Sequence, residues 1–270
     1  MSNIIEILNK QKIIIESDGH KVAYICLYGS QNYGLDLNND EYQSDIDMKA
    51  IIVPTLEDLI NNSKPLSVTI KTEWGECDVK DIRIYFETLL KANPAYIETL
   101  FTKYFVIDED FKQEFDEIHS LAESLVNVLR TQFIRATYGM MCEKEKAMCH
   151  PYPSIAHKIE KFGYDGKQSH HIQRLWLLMI DYFFMGCTMS ESIFPPTAEK
   201  VFLMDLKLNK YSLIFAKEHV GKVMGYAKDF KDEIISGIDE SIIDYSIKDN
   251  FLNLSKQIIR NKITNEIRGK

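Results

Sequence analysis

The stretch CLYGSQNYGLDLNNDEYQSDIDMKAIIVP, Cys26–Pro54, decides how the chain is read. The apolar run Val22–Leu27 reads as a strand that ends at Gly29, and Ile46–Val53 reads as a second strand. Asp45 and Asp47 are one residue apart, so in a strand both carboxylates share a face while Ile46 points to the core. Two like charges held together are costly unless a cation lies between them. Mg²⁺, with Mn²⁺ as the alternative ion, suits hard oxygen ligands and joins carboxylates to substrate phosphates. Gly29-Ser30 belongs to the same chemistry: glycine allows a tight turn and close backbone approach, and the hydroxyl and amides donate to anionic oxygens. Gly34 marks a second close turn, and Tyr33 either packs beneath the loop or touches a base or sugar. Taken singly, the aspartates also read as exposed turn carboxylates and Gly-Ser as an ordinary turn. Their combination between two apolar strands favours the metal and phosphate reading.

A third carboxylate completes the arrangement for two-metal phosphoryl chemistry. Asp78 in ECDVKDI offers it from a neighbouring strand, ahead of Asp81, which falls three positions later on the opposite strand face.

Working outward, residues 3–12 read as a short helix, Pro54-Thr55 prepares a short helix to Ile60, and LSVTIKTEW and ECDVKDI read as a strand pair separated at Gly75. RIYFETLLKANPAYIETLF has helical spacing interrupted and restarted at Asn93-Pro94. From Phe111 to Leu129, apolar residues recur at three or four, the pattern of an amphipathic helix. Further helices are expected at 131–147, 168–186, 197–204, 223–238 and 254–267. The fold class is α+β: a small mixed-sheet domain of α/β type over 1–106, followed by a mainly helical domain over 107–270 that completes a nucleotide or acceptor cleft.

In GYDGKQSHHIQRLWLLMIDYF, Lys167, His171 and Arg174 share a helical face, and His170 and Arg174 form an i,i+4 pair. That face is a candidate for nucleotide phosphates or the acceptor, with Lys167 and Arg174 better suited than the histidines at neutral pH. The plainer reading is salt bridges and an interface histidine. Trp176, Tyr182, Phe183 and Phe184 read as core rather than a stacking platform. Cys142, Cys149 and His150 make a poor zinc pattern, since no second cysteine pair accompanies them.

The 270 residues, 45% of them hydrophobic, suffice for a sizeable core, and a net charge of −8 argues against extended DNA binding through a broad basic surface. Five scattered cysteines favour reduced thiols over a disulfide scaffold. No signal-peptide pattern opens the sequence, and LWLLMIDYFFMG is too short and carries Asp181, so a cytoplasmic protein without membrane partners is expected.

GSQNYG, then SDIDMKAII, then ECDVKDI resemble the signature of the polymerase beta-like nucleotidyltransferase superfamily. With LLKANPAYIETLF and GYDGKQSHHIQRL included, the chain is similar to the bacterial and phage nucleotidyltransferase-like group over roughly residues 22–186. The resemblance implies that Gly29 and Ser30 form the phosphate-binding turn, that Asp45 and Asp47 are metal ligands, and that Asp78 is the third carboxylate and a base or base-orienting group. It implies a Mg²⁺-dependent enzyme that transfers a nucleoside monophosphate from ATP or another nucleoside triphosphate to a hydroxyl or phosphate acceptor, with release of pyrophosphate. The acceptor is a small molecule, a protein or an RNA end. The competing class is a catalytically weak nucleotide-binding or antitoxin-like interaction protein on the same fold. The long connection containing LNNDEYQ is either a substrate-specific flap or a surface insertion.

Overall fold

A computed structural model describes residues 2–37 and 44–269. It comprises an N-terminal mixed β-sheet region followed by a largely helical one, in two compact units: Met1–Leu129 with Asp244–Lys270, and Arg130–Ile243. The expected division between residues 106 and 107 falls inside a strand of the first unit, and the connection residues 38–43 lie outside the described residues.

In the first unit, α1 (Ser2–Ser17) leads into β1 (Lys21–Tyr28), β2 (Asp47–Val53), α2 (Leu56–Ile60), β3 (Ser67–Lys71) and β4 (Glu76–Asp81). Then come α3 (Ile82–Leu90), α4 (Pro94–Ile97), β5 (Phe105–Ile107) and α5 (Lys112–Val128). Helix α1 runs five residues beyond the expected 12 because IIIES keeps one apolar stripe: Ile7, Leu8 and Ile15 are all buried against the sheet. The strand order is β3-β4-β2-β1-β5, antiparallel except for the parallel pair β2–β4.

Register assigns the two faces of this sheet. Met48 pairs with Cys77 and Ala50 with Val79, and these four join Val22, Ile25 and Ile52 in the core cluster beneath α1. Each valine, isoleucine or methionine among them stabilises by roughly 1.5–3 kcal/mol when fully buried. The opposite face carries Tyr24, Tyr28, Asp47, Lys49, Asp78 and Lys80. There Tyr24 stacks on Phe115 of α5 at 5.0 Å, and its hydroxyl donates to the Thr99 carbonyl at 2.7 Å. Two helix starts follow from capping: Thr55 forms a capping box with Asp58, and Asn93 accepts from the Ala95 amide ahead of Pro94.

The second unit holds α6 (Arg130–Met148), α7 (Ala156–Phe162), α8 (Gly166–Phe183), α9 (Met189–Ile193), α10 (Thr197–Lys207) and α11 (Leu213–Ser236). Helix α8 is its centre, with Ile172, Leu175, Leu178 and Met179 buried and α6, α10 and α11 packed around it. Trp176 meets Phe230 edge-on at 5.7 Å and Tyr182 meets Phe183 at 4.8 Å, so these aromatics pack as expected. Phe184 departs from that expectation: it lies past the end of α8 and is 72% exposed.

The chain then returns to the first unit as α12 (Ser246–Ile267). Phe251 packs on Phe86 of α3 at 6.3 Å, while Gln257 and Asn261 donate to the buried carboxylate of Glu114 at 3.2 and 2.6 Å. Hydrogen bonds satisfy a carboxylate that would otherwise be expensive to bury. Among the described residues, no helix is long and apolar enough to cross a membrane.

Candidate functional site

Strand β1 delivers the chain to Gly29, whose φ of +81° is open to glycine at little cost. The turn then closes on itself: the Asn32 amide donates to the Gly29 carbonyl at 3.0 Å, and the Leu35 amide to the Ser30 carbonyl at 2.9 Å. Gly34 is the second left-handed position, at φ +64°. Gln31 ties the turn to the acidic segment by donating to the backbone carbonyls of Ser44 at 2.8 Å and Asp45 at 3.3 Å. A Cβ added at Gly29 would lie 3.0 Å from Asp47 Oδ2, so a second constraint, close approach to the carboxylate, falls on the same glycine.

Asp47 opens β2 and Asp45 precedes it in extended chain; Asp45 is exposed and Asp47 half-buried. Asp47 Oδ1 accepts the Glu76 amide at 3.3 Å. Ile46 packs against the core as the alternation requires, and its amide donates to the Trp74 carbonyl at 2.7 Å. The turn at 72–75 therefore clasps the backbone between the two aspartates.

Asp78 sits on the same face but one register step further along, opposite Lys49. One of its oxygens meets the Lys49 ammonium at 3.0 Å and the Tyr96 hydroxyl at 2.7 Å, and the other meets Lys80 at 3.2 Å. Lys49 is 6% exposed and lies between the rings of Tyr28 (4.4 Å) and Tyr96 (4.3 Å). A buried ammonium needs a counter-ion and tolerates aromatic faces; Asp78 supplies the first and the tyrosines the second. Asp81, the rival, is buried, caps α3 and makes a bidentate pair with Arg83 at 2.9 and 2.6 Å.

The neighbour of Asp47 across the parallel pair is Glu76, reached by stepping the register back from Met48↔Cys77. Sequence reading passed over it. Its parity with Asp78 was visible, but only the register reveals which of the two stands beside Asp47. Among the described residues, no group of three His, Cys, Asp or Glu side chains is arranged to hold a metal ion. Cys26 and Cys77 are buried, which pushes both thiols up to about 12 and keeps them protonated.

Tyr33 takes the packing alternative: it is 3% exposed and its hydroxyl donates to the Glu98 carboxylate. Lys167, His171 and Arg174 lie on α8 in the second unit, Lys167 exposed and Arg174 6% exposed. Burial pushes His170 down to about 3 and holds His171 well below its ordinary value, so neither brings positive charge at neutral pH. His170 Nδ1 instead meets the Leu203 carbonyl at 2.9 Å.

The first test of the turn is Ser30→Ala, which removes a donor without adding bulk. Triphosphate affinity, measured by titration calorimetry, is expected to fall about tenfold to a hundredfold, in keeping with the loss of a hydrogen bond to a charged partner. The unfolding midpoint should hold, and unchanged affinity would return Gly29-Ser30 to a purely structural turn.

No curated protein matches the chain. The crystal structure of a nucleotidyltransferase-like protein from Exiguobacterium sibiricum 255-15 aligns with 96% of this chain and 77% of its own, at 6% identity and a TM-score of 0.31. The family model RlaP, described as RNA repair pathway DNA polymerase beta family, matches residues 4–152, a span that holds the whole sheet, the Gly29–Gly34 turn and every carboxylate just placed. Since that span is more than half of the 270 residues, the chain belongs to the RlaP family of polymerase beta-like nucleotidyltransferases.

Proposed function

We propose that the first unit catalyses nucleotidyl transfer: an acceptor oxygen attacks the α-phosphorus of a nucleoside triphosphate, the bond to the bridging oxygen breaks, and pyrophosphate leaves. The observation that carries this reading is the contact between turn and carboxylate. Gly29 lies so close to Asp47 that its Cβ would come within 3.0 Å of Oδ2, so phosphates on the turn would be presented to the acidic segment.

Asp45 and Asp47 are the proposed Mg²⁺ ligands, with Mn²⁺ as a substitute. Asp78, the third carboxylate of the expected set, is paired with Lys49 and Lys80, so as a ligand it would exchange these ammonium partners for the ion. Two carboxylates do fit, because Mg²⁺ is commonly held by one or two of them together with substrate phosphate oxygens. Glu76, exposed and beside Asp47, adds a further negative charge at this edge of the sheet. When bound, the ion offsets charge on the phosphoryl oxygens. The chain's own groups orient the substrate: the Ser30 hydroxyl and the backbone at the start of the turn receive the phosphate tail, and Gln31 keeps the turn in step with residues 44 and 45.

The description of the matched family, an RNA repair pathway, supports an RNA end as the acceptor ahead of a protein or a small molecule. The test is incubation with each of four α-labelled triphosphates, Mg²⁺ or Mn²⁺, and either RNA oligonucleotides with defined ends or cell extract. Label on RNA ends is the expected result. Label on protein or small molecules would replace the acceptor, and no label above a Asp47→Asn control in any arm would overturn the activity.

A further inference from the structure

Beneath the Gly29–Gly34 turn lies one segment whose polar side chains are spent on the site. From α4 through residue 102, Tyr96 donates to Asp78 at 2.7 Å, Glu98 accepts from Tyr33, and Thr102 Oγ1 donates to Asn32 Oδ1 at 2.7 Å. All of these residues but Asp78 are buried: Tyr33 and Asn32 are 3% exposed, Tyr96 and Thr102 6%, and Glu98 0%. Thr99 anchors the segment from behind, its carbonyl accepting from Tyr24 at 2.7 Å and its hydroxyl meeting Tyr85 at 2.9 Å.

A fully buried carboxylate is a poor choice for packing, since desolvation opposes it unless donors surround it. A leucine or glutamine would fill similar volume. What a carboxylate adds is a strong, directional acceptor for the hydroxyl of Tyr33, the residue that follows the two backbone groups poised for phosphate by only three and four positions. We infer that Glu98 is a positioning residue: through Tyr33, and with Thr102 acting in parallel through Asn32, it fixes the backbone of the 29–34 turn in the shape that receives the phosphates of the substrate. This rests on the phosphate reading of the turn given above. Neither Glu98 nor Thr102 touches substrate; each acts through a residue of the turn.

The variants are Glu98→Gln, Tyr33→Phe, their double, and Thr102→Val, all close to isosteric. Two measurements on the full chain separate the possibilities: hydrogen exchange of the turn amides without ligand, and calorimetric binding of inorganic tripolyphosphate with Mg²⁺, a probe that carries no base. In Glu98→Gln the amides of Asn32–Leu35 are expected to exchange about tenfold faster and tripolyphosphate to bind about tenfold more weakly, while the β2 amides and the urea midpoint change little. Tyr33→Phe should loosen the turn in the same way, and the effect of the double should fall short of the sum of the two singles, because they share the hydroxyl–carboxylate hydrogen bond.

Unchanged turn exchange in both singles overturns the inference, as does equal loosening of β2, which would make Glu98 a general packing residue. A loosened turn with unchanged tripolyphosphate binding overturns its link to phosphate. If the wild type binds no tripolyphosphate, the phosphate reading itself falls, and the exchange data alone decide whether Glu98 holds the turn. Should Glu98→Gln fail to fold, Tyr33→Phe and Thr102→Val decide the matter by the same two readouts.

Discussion

Asp47→Asn is expected to lower nucleotidyl transfer by on the order of a thousandfold, equivalent to about 4 kcal/mol of lost transition-state stabilisation. The substitution keeps size and shape, and the Glu76 amide that now donates to Oδ1 can donate to the amide oxygen of asparagine instead. Strand β2 should stay in register, because its stability comes from Met48, Ala50 and Ile52 on the other face. What disappears is the negative charge beside Gly29, where the proposed ion and the α-phosphate meet. The check is turnover at saturating triphosphate and Mg²⁺, alongside Mn²⁺ binding by electron paramagnetic resonance and a urea unfolding curve. Near-wild-type turnover in folded Asp47→Asn would remove this carboxylate from the chemistry and return the acidic pair to surface decoration.

Gly75→Ala should damage both stability and activity, for a reason invisible in the dihedrals. Gly75 does not have a positive φ, so alanine meets no backbone strain there. Its Cβ, however, would lie 2.7 Å from the Ile46 carbonyl oxygen, 2.9 Å from the carbon and 3.0 Å from the nitrogen. Those are backbone atoms and cannot rotate away. The turn cannot yield cheaply either, since the Gly75 amide donates to Thr72 Oγ1 at 3.0 Å and its carbonyl accepts the Thr72 amide at 2.8 Å. Overpacking of this kind costs roughly 1–3 kcal/mol. Ile46 carries Asp45 and Asp47 on either side, so displacing it by a few tenths of an ångström misplaces both carboxylates, and turnover should fall about tenfold. Gly139→Ala is the control: nothing lies within 4 Å of its Cβ, it sits inside α6, and the change is expected to be neutral or to stabilise by about 0.5–1 kcal/mol. Equal urea midpoints and equal turnover for Gly75→Ala and wild type would show that the 72–75 turn does not clasp the acidic segment.

Much of this protein was determined locally. The alternation in SDIDMKAIIV fixed a strand with Asp47 and Ile46 on opposite sides, because successive side chains in a strand must point oppositely. Gly29 and Gly34 marked close turns, and both lie in the left-handed region that such turns use. Thr55 and Asn93-Pro94 marked helix starts through capping chemistry that acts within a few residues. What the local signal lacked was length: β5 is three residues long, and α7 and α9 only seven and five, too short for periodicity to register. Helix α11 begins at Leu213, ten residues before the expected 223: the Ser212 side chain caps it by accepting the Phe215 amide, and of its first ten residues Ala216 and Val220 are buried.

Only tertiary structure decided the rest, and the common reason is that pairing between distant segments leaves no trace in either segment alone. Glu76 and Asp78 have the same parity and similar neighbours in sequence; the parallel register of β2 with β4 sets Asp78 against Lys49 and Glu76 beside Asp47. A lysine two residues after Asp47 reads as an ordinary solvated side chain, yet packing between Tyr28 and Tyr96 buries it and binds Asp78 as its counter-ion. The return of α12 to the first unit rests on Phe251 meeting Phe86 and Glu114 meeting Gln257 and Asn261, contacts more than a hundred residues apart in the chain. Strand parity determined which residues face the site, and the packing of remote segments determined which charges each of them meets there.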